Sequence, residues 1–288
     1  MTARPIRNAV AVGLGALLAG CTAFGVLNTL EPKGGLAVTR NVAYGEGERG
    51  RLDVYAPKVR REGRPVVVFF YGGGWDSGRK DDYAWAGAAL ASAGYVAVVP
   101  DYRIHPHARY PDFLEDGARA VRWARDNAAA HGGDPRRLVL MGHSAGAYNA
   151  AMLALDGRWL AAVGMDPRRD VRAWVGLSGP YDFLPLKSEV LKTIFGPEDQ
   201  RPLTQPINHV GDGAPPALLI TGDRDATVRP GNTDRLADKL RGHGADVTVV
   251  HYPRADHVRT VGAIASPLRF LAPVMRDVTG FVDAKTGG

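Results

Sequence analysis

The chain contains 288 residues, of which 45% are hydrophobic and 23% are charged, and this ordinary globular balance excludes wholesale disorder. Lys and Arg outnumber Asp and Glu by 36 to 30, but the basic residues form no block and alternate with acidic ones, which argues against a nucleic-acid-binding surface. Cys21 is the only cysteine, so an intramolecular disulfide and a cysteine-rich metal site are excluded.

The first twenty residues have the features of a secretory signal peptide. Arg4 and Arg7 precede an uncharged, largely apolar run from Ala9 to Gly20, and residues 1–20 contain no acid. As a helix this run would be ~18 Å long, which is too short for the ~30 Å hydrocarbon core of a bilayer. A short basic start followed by a short apolar run predicts a signal peptide at 1–20 rather than a membrane span.

The segment Leu18-Ala19-Gly20-Cys21 resembles the lipobox of bacterial lipoproteins. In that family the cysteine is acylated and the peptide is cut in front of it, so the resemblance implies an exported protein of the bacterial cell envelope, anchored to a membrane through lipid on Cys21. Several acyl chains on one residue give stable anchoring, whereas one chain is marginal. The alternative is a plain signal peptide with an incidental cysteine. Residues 21–36 are then predicted to be a tether.

Strands and helices alternate along the rest of the chain. Continuous apolar runs predict strands that are buried on both faces, and apolar residues at helical spacing predict helices between them. The predicted strands are 52–55, 65–71, 95–99, 138–141, 171–177, 217–221 and 247–252, and the predicted helices are 81–93, 112–130, 231–241 and 258–271. This alternation predicts an α/β domain over 37–288, with a mostly parallel sheet and helices on both faces. Residues 180–214 contain several prolines and are predicted to form a small cap insertion.

The sequence Gly142-His143-Ser144-Ala145-Gly146 matches the pattern G-x-S-x-G. A buried strand precedes it and an apolar helical segment follows it, which is the context of a nucleophile elbow, where a strained turn exposes the serine hydroxyl. The pattern alone also fits any serine-capped helix start. In this context we expect Ser144 to be a nucleophile.

A second glycine cluster, Tyr71-Gly72-Gly73-Gly74-Trp75, follows the strand at 65–70. Taken alone it predicts only a flexible turn. Beside a nucleophile elbow it predicts an oxyanion-binding loop, in which the N–H groups of Gly73 and Gly74 join that of Ala145 to stabilise a tetrahedral intermediate.

A serine nucleophile needs a histidine base and an acid that orients the base, and in this fold the acid precedes the histidine in the chain. His257 follows the strand at 247–252 and lies at the edge where the carboxyl ends of parallel strands meet, so it is the predicted base. Three other histidines fit less well: His251 lies within a strand, His243 at a helix end and His209 in the cap. The acid is expected in the segment 222–228, which offers both Asp223 and Asp225.

These motifs resemble the α/β-hydrolase superfamily, in particular its hormone-sensitive-lipase-like and bacterial carboxylesterase branch, to which arylformamidases are related. The similarity covers about residues 50–272. It includes the glycine loop, Asp101-Tyr102-Arg103, Gly133-Asp134-Pro135, the elbow, Gly222-x-x-Asp225-x-x-Val228 and Asp256-His257. The resemblance implies an α/β-hydrolase catalytic domain in which Ser144 is the nucleophile, Asp225 the acid and His257 the base. Asp223 is then expected to bond amides of its own loop.

Two residues depart from the usual pattern of this branch. Tyr71 replaces the histidine that braces the glycine loop, so the loop must be supported differently here. His143 occupies an elbow position at which the lipase-like members often have aspartate, which favours the smaller carboxylesterase-like and formamidase-like members.

The sequence predicts hydrolysis of small to medium carboxylic esters through an acyl-enzyme. No metal-binding, phosphate-binding or dinucleotide motif is present, so no metal and no cofactor are predicted. An amidase or arylformamidase would use the same residues, an acyltransferase would differ by excluding water, and a non-catalytic hydrolase-fold protein would be expected to lack part of the triad. An aspartate-nucleophile dehalogenase is excluded by Ser144. Four aromatic residues near the motifs are candidates for walls of a substrate pocket, and packing in the core is the alternative: Trp75, Tyr148, Tyr181 and Phe183.

Overall fold

The architecture is a twisted sheet of eight strands with helices on both faces, seen in a computed structural model that describes residues 24–59 and 61–287. The strands follow the order β1-β2-β4-β3-β5-β6-β7-β8. Strand β2 runs antiparallel to β1 and to β4, and all neighbouring pairs from β4 to β8 are parallel. The strands are β1 (Leu36–Ala43), β2 (Arg51–Pro57), β3 (Arg64–Phe70), β4 (Val96–Pro100), β5 (Gly133–His143), β6 (Ala173–Leu177), β7 (Ala217–Gly222) and β8 (Val247–Tyr252). The predicted α/β fold with a mostly parallel sheet is confirmed.

Ten α-helices cover this sheet within the described ranges. The first, α1, includes residues 24–30. The others are α2 (Ala84–Ser92), α3 (Asp112–Asn127), α4 (Ala145–Leu155), α5 (Gly157–Ala161), α6 (Pro167–Asp170), α7 (Glu189–Phe195), α8 (Gly231–Gly242), α9 (His257–Gly262) and α10 (Val274–Thr286). Short 3-10 helices lie at Lys80–Tyr83, Ala128–His131, Glu198–Thr204, Pro206–His209 and Ser266–Leu268. None of the helices in the described ranges is both long enough and apolar enough to span a membrane.

Small side chains allow two helices to pack closely on the sheet, α2 on β2 and β4, and α4 on β5 and β6. Nearly all of α2 and α4 is buried, because both consist mainly of alanine and other small or apolar residues. Strands β3 and β5 between them are also buried along most of their length. Ser144 lies between β5 and α4, so the core of the domain fixes its position.

Several element boundaries differ from those predicted. The predicted helix at 258–271 is interrupted: α9 ends at Gly262, and α10 begins only at Val274, where no helix was predicted. Strand β5 begins at Gly133, five residues earlier than expected, because Gly133 pairs with Arg64 at the start of β3. Strand β1 was not predicted, since only Leu36 in it is buried and its other residues lack the apolar run of a central strand.

The expected tether at 21–36 is wrong for its described part. In α1 the Asn28 side chain accepts a hydrogen bond from the Trp85 N–H (2.8 Å) and donates one to the Asp81 carbonyl (2.8 Å). Leu27 is buried and the Phe24 ring lies 4.9 Å from that of Tyr83, so this segment is packed on the domain. The predicted signal peptide and Cys21 lie outside the described residues.

Between β6 and β7, residues 180–214, which were predicted to be a small cap insertion, form α7 and two 3-10 helices.

Candidate active site

Ser144 occupies a sharp turn between strand β5 and helix α4. Its backbone has φ +55° and ψ −122°, a conformation that is strained for a residue with a side chain and is typical of functional sites. The start of α4 lies so close to the neighbouring strands that a Cβ added to Gly146 would lie 2.0 Å from the Phe70 carbonyl oxygen at the end of β3, and one added to Gly142 in β5 would lie 2.1 Å from the Gly146 carbonyl oxygen. The Ser144 N–H is held by the Leu177 carbonyl at 2.9 Å. The turn therefore has the geometry expected of a nucleophile elbow.

His257 connects Ser144 to Asp225 through its two ring nitrogens. Nε2 lies 2.9 Å from Ser144 Oγ, and Nδ1 lies 2.8 Å from Asp225 Oδ2. His257 is the first residue of α9 and Asp225 follows β7, so both side chains come from the carboxyl edge of the sheet, where the elbow also lies. The structure thus brings together the three residues that the sequence singled out. When the Nδ1–H of His257 donates to the Asp225 carboxylate, Nε2 carries no proton and can accept the proton of Ser144.

Asp225 is held as a buried carboxylate. Its Oδ1 accepts hydrogen bonds from the N–H groups of Thr227 (2.9 Å) and Val228 (2.8 Å), which close its own loop. Burial by itself raises the pKa of Asp225, but the hydrogen bond and charge of His257, with the Val228 N–H and the Ser178 hydroxyl, bring the pKa below its ordinary value. Asp225 is therefore ionised at neutral pH and can stabilise a protonated His257.

Asp223 lies outside this site. Its carboxylate is 2.7 Å from Nδ1 of His251 on the edge strand β8, and the other nitrogen of His251 is 2.9 Å from Asp234. The expectation that Asp223 bonds the amides of its own loop is wrong, because His251 offers it a side-chain partner instead. His251 itself lies on an edge strand, as expected.

The remaining two histidines are also engaged elsewhere. His209 donates from Nε2 to the Leu203 carbonyl (2.8 Å) in the cap segment, and His243 follows α8 with its Nδ1 2.9 Å from Asp212. Neither side chain is bonded to Ser144 or Asp225, so His257 is the one histidine of the described residues that reaches both.

The glycine loop runs directly past Ser144. A Cβ added to Gly72 would lie 3.1 Å from the Ser144 Cβ. Gly73 adopts φ +140°, and its carbonyl accepts from the Asp76 N–H (3.2 Å) and from the N–H (3.0 Å) and hydroxyl (2.8 Å) of Ser77, which turns the loop back on itself. In the described residues no acceptor faces the N–H of Gly73 or Gly74. The Ala145 N–H, at the start of α4, has no partner within its helix. The N–H groups of Gly73, Gly74 and Ala145 are thus three candidate donors on the two segments that meet at Ser144.

A polar network supports this loop in place of the usual histidine. The Tyr71 hydroxyl donates to Asp101 Oδ1 (2.9 Å) and accepts from Arg49 Nη1 (3.0 Å). The Arg49 guanidinium also donates to the carbonyls of Tyr102 (3.2 Å) and Gly78 (3.0 Å), and the Tyr71 and Tyr102 rings stack at 4.6 Å. Arg49, which sequence reasoning missed, therefore ties the beginning and the end of the glycine loop to the strand β4 side of the sheet.

His143 supports the backbone of His257. It is only 4% exposed, and its Nε2–H donates to the His257 carbonyl at 2.9 Å. Burial and the nearby charge of His257 lower the pKa of His143 to about 3, so its ring is neutral at physiological pH. The sequence identified His143 only as a family marker, although its place beside Ser144 could have suggested a supporting contact.

Aromatic side chains form a cluster next to the elbow, in which Trp75, Tyr148 and Phe195 are buried and Phe183 is partly exposed. The Trp75 ring lies 5.0 Å from Tyr148, 6.1 Å from Phe183 and 4.8 Å from Phe195. Trp75 directly follows the glycine loop, and the Tyr148 N–H donates to the Ser144 carbonyl, so this cluster lies beside the reacting groups. Phe195, at the end of α7, was not predicted, since a single phenylalanine in the cap segment carries no motif.

Tyr181, which was predicted together with these aromatic residues, does not belong to their cluster. Its ring is fully buried against Trp174 at 6.2 Å, and its hydroxyl fills the space above two glycines: a Cβ at Gly176 would lie 1.9 Å from it. Tyr181 is therefore a packing residue at the end of β6, where the absence of glycine side chains makes room for it.

Comparison with known proteins shows similarity to esterases. The BD-FAE family model matches residues 52–240. A probable isoprenylcysteine alpha-carbonyl methylesterase of Oryza sativa subsp. japonica is 32% identical over 76% of this chain and 57% of its own length. Esterase LipC of Mycobacterium tuberculosis is 30% identical over 76% of this chain and 59% of its own length.

Among solved structures, a truncated carbohydrate esterase from gut microbiota superposes with a TM-score of 0.78 and 22% identity, covering 90% of this chain and 99% of that one, which establishes a shared fold. The chain spans little more than half the length of these two curated relatives. The family match covers the glycine loop, the elbow and the Asp225 loop, which together place Ser144 in an α/β-hydrolase framework. The chain therefore belongs to the BD-FAE family of α/β-hydrolases.

Proposed function

We propose that this protein is a serine hydrolase that cleaves carboxylic esters of small to medium size. The observation that carries the proposal is the continuous chain of hydrogen bonds from Ser144 Oγ through His257 to the ionised Asp225. The free N–H groups of Gly73, Gly74 and Ala145 beside that serine complete the machinery. The names of the two curated relatives, a methylesterase and an esterase, support esters as the substrate class.

The proposed reaction has two half-reactions. His257 takes the proton of Ser144 as its Oγ attacks the ester carbonyl, and the three N–H groups stabilise the oxyanion that forms. The protonated His257, held by Asp225, then donates its proton to the leaving alcohol, which leaves Ser144 acylated. In the second half, His257 takes a proton from a water that attacks the acyl carbon, and it returns this proton to Ser144 Oγ as the bond to the acyl group breaks and the carboxylic acid leaves. Trp75, Tyr148 and Phe183 are the proposed walls of the substrate pocket.

The nucleophile can be tested in two independent ways. Ser144→Ala should lower turnover of an aryl ester by about four orders of magnitude or more, because the residual rate comes only from binding and the oxyanion donors. An organophosphonate ester should modify the unaltered enzyme at Ser144 alone, as read by peptide mass mapping. Near-normal turnover of Ser144→Ala in a folded protein, or modification at another serine, would refute the assignment.

The alternative reaction is hydrolysis of amides or N-formyl amines, since the same triad and oxyanion donors carry out both. A chain-length series of aryl esters measured beside aryl amides and N-formyl arylamines separates the two. Higher kcat/KM for esters at every chain length supports the esterase, and preference for N-formyl amines would make the protein a formamidase. A non-catalytic role predicts no turnover in either series.

We also propose that the protein is a lipoprotein of the bacterial cell envelope, anchored through Cys21. The basis is the resemblance of Leu18-Ala19-Gly20-Cys21 to a lipobox, at the position of the sole cysteine. The full chain expressed in bacteria should fractionate with membranes, and its mature N-terminus should be acylated Cys21. Cys21→Ser should release the protein or leave an uncleaved precursor. A soluble product whose N-terminus lies at another residue counts against the anchor.

A further inference from the structure

Helix α1 presents an uncharged, apolar face to the outside of the molecule. Its inner face contributes Phe24, Leu27 and Asn28 to contacts with the domain, whereas Val26 and Leu30 on the outer face are 55% and 57% exposed. Residues 24–30 contain no charged side chain. A helix that faces only water normally carries polar or charged residues on its outer face, so this face is unusual for an ordinary surface helix.

A second exposed apolar segment meets α1 at its end. Phe270 is 80% exposed and Leu271 is 37% exposed. The carboxylate of Glu31, directly after α1, accepts from the N–H (2.7 Å) and the hydroxyl (2.8 Å) of Ser266, which ties the two segments together. We call Val26, Leu30, Phe270 and Leu271 the apolar rim. They are four of the eight large hydrophobic residues that are exposed in the described ranges, and they lie on the two segments that the Glu31–Ser266 hydrogen bonds join.

A cation accompanies the apolar rim. Arg269 is exposed directly before Phe270 and forms no ion pair with a carboxylate in the described residues. An arginine beside exposed apolar side chains can place its alkyl stem along the hydrocarbon and its guanidinium at the headgroups. Such pairs of a basic residue and apolar residues are typical of surfaces that bind anionic lipid.

The position of the proposed anchor decides what covers this surface. Cys21 precedes Phe24 by three residues, which span at most ~10 Å even when fully extended. An acylated Cys21 in a bilayer would therefore hold the start of α1 at the headgroup boundary. We propose that the apolar rim docks on the bilayer that holds the Cys21 anchor, with Arg269 at anionic headgroups. This inference rests on the proposed anchoring and adds a second, non-covalent contact that fixes the orientation of the domain.

Tryptophan substitutions can test the contact directly. The full chain, expressed with its own signal sequence and purified from membranes, is reconstituted in vesicles of phosphatidylcholine and phosphatidylglycerol, with or without dibrominated phosphatidylcholine as a quencher. Phe270→Trp and Leu30→Trp probe the rim. Leu203→Trp, at a site 60% exposed in the cap segment, is the matched control. The native tryptophans give a constant background emission, which is recorded on the unsubstituted protein. Turnover of a water-soluble ester shows that each variant is folded.

Docking predicts loss of the emission that the new indole adds at positions 270 and 30, and no loss at position 203. If the protein binds the vesicles but all three indoles stay unquenched, the docking surface is refuted while the anchor stands. If the control at 203 is quenched as strongly as the rim, another face meets the lipid and the proposal is also refuted. If the chain does not associate with vesicles at all, both the anchor and the docking fail.

Discussion

The guanidinium of Arg49 and the hydroxyl of Tyr71 share a 3.0 Å hydrogen bond at the base of the glycine loop. Arg49 belongs to the connection between β1 and β2, and the same guanidinium reaches the Gly78 carbonyl at the far end of the loop. One side chain thus holds both ends of the loop that carries the proposed oxyanion donors Gly73 and Gly74. Together with the bond from Tyr71 to Asp101, this bond restrains the loop on which the proposed oxyanion donors lie.

Arg49→Ala should therefore lower kcat with little effect on KM. Removing the guanidinium leaves the Tyr71 hydroxyl and two carbonyls without their donor, and a shift of about 1 Å in the oxyanion donors costs about a hundredfold in rate. We expect a fall of roughly tenfold to a hundredfold in kcat for an aryl ester. Arg51→Ala, which removes an exposed arginine bonded to the Asn41 carbonyl, is the matched control. Equal loss in both variants, or a change in KM alone, contradicts the positioning role.

The two candidate acids allow a paired test. Asp225→Asn should lower turnover on the scale of ~10⁴, because an amide cannot hold His257 in the tautomer that accepts the serine proton. Asp223→Asn should leave turnover near normal, since Asp223 contacts His251 on the edge strand and not His257. The measurement is kcat/KM on one ester for both purified variants. The reverse pattern would move the acid to Asp223.

His143 predicts how stability changes with pH. The pKa of His143 is about 3 in the folded protein, below the ordinary value of 6.5, so between these values the unfolded chain binds a proton that the folded one does not. Folding stability is therefore lost as pH falls from about 6.5, by up to about 1.4 kcal/mol per pH unit from this one group. Asp225, whose pKa is lowered, loses its contribution only at more acidic pH, below its unfolded value of 3.8.

We expect His143→Gln to weaken this pH dependence between pH 6.5 and 4.5, as measured by urea unfolding at several pH values. A glutamine amide can still donate to the His257 carbonyl, so activity should fall less than in His143→Leu, which has no donor. His243→Gln, which removes an exposed histidine, is the control. In this variant the free energy of unfolding should change with pH as it does in the unsubstituted protein. If His143→Gln leaves the dependence of the unfolding free energy on pH unchanged, the His143 imidazole does not stay neutral in the folded protein.

The predictable parts of this protein are the ones that local sequence determines. A buried strand that runs into G-x-S-x-G places Ser144 at the edge of the sheet, and the order of the later strand ends selects His257, because parallel strands all deliver their carboxyl ends to that edge. The choice between Asp223 and Asp225 needed family spacing, since both follow the same strand by only a few residues. The structure separates them through their different histidine partners.

The remaining features depend on contacts between distant parts of the chain. Asn28 bonds to Trp85 across 57 residues, and neither residue carries a local signal that the segment 24–31 packs on the domain. Arg49 lies 22 residues before Tyr71 in a connection without a motif. Such contacts follow from the tertiary packing of the sheet, so patterns of composition and spacing could not supply them.

The aromatic cluster beside the elbow predicts which acyl groups the proposed esterase prefers. Phe183 is partly exposed, whereas Phe195 and Trp75, whose rings lie 5.3 Å and 6.1 Å from it, are buried, so Phe183 is the member of the cluster that we expect a substrate to contact. Phe183→Ala removes apolar contact area from longer or aromatic acyl chains but hardly any from an acetyl group. Loss of such contacts is worth about 1–3 kcal/mol, so kcat/KM for an octanoate or benzoate aryl ester should fall roughly tenfold or more relative to the acetate ester.

The control for this test is Phe270→Ala, the same change at a phenylalanine that is 80% exposed and lies in the segment after α9. Assayed on water-soluble esters in detergent, it should leave the ratio between long-chain and acetate esters unchanged. If Phe183→Ala lowers kcat/KM by the same factor for all esters, the Phe183 ring supports the cap segment and does not contact the acyl chain. If instead kcat/KM falls only for esters with bulky alcohol groups, Phe183 contacts the leaving alcohol. The acyl group would then lie on the opposite side of Ser144.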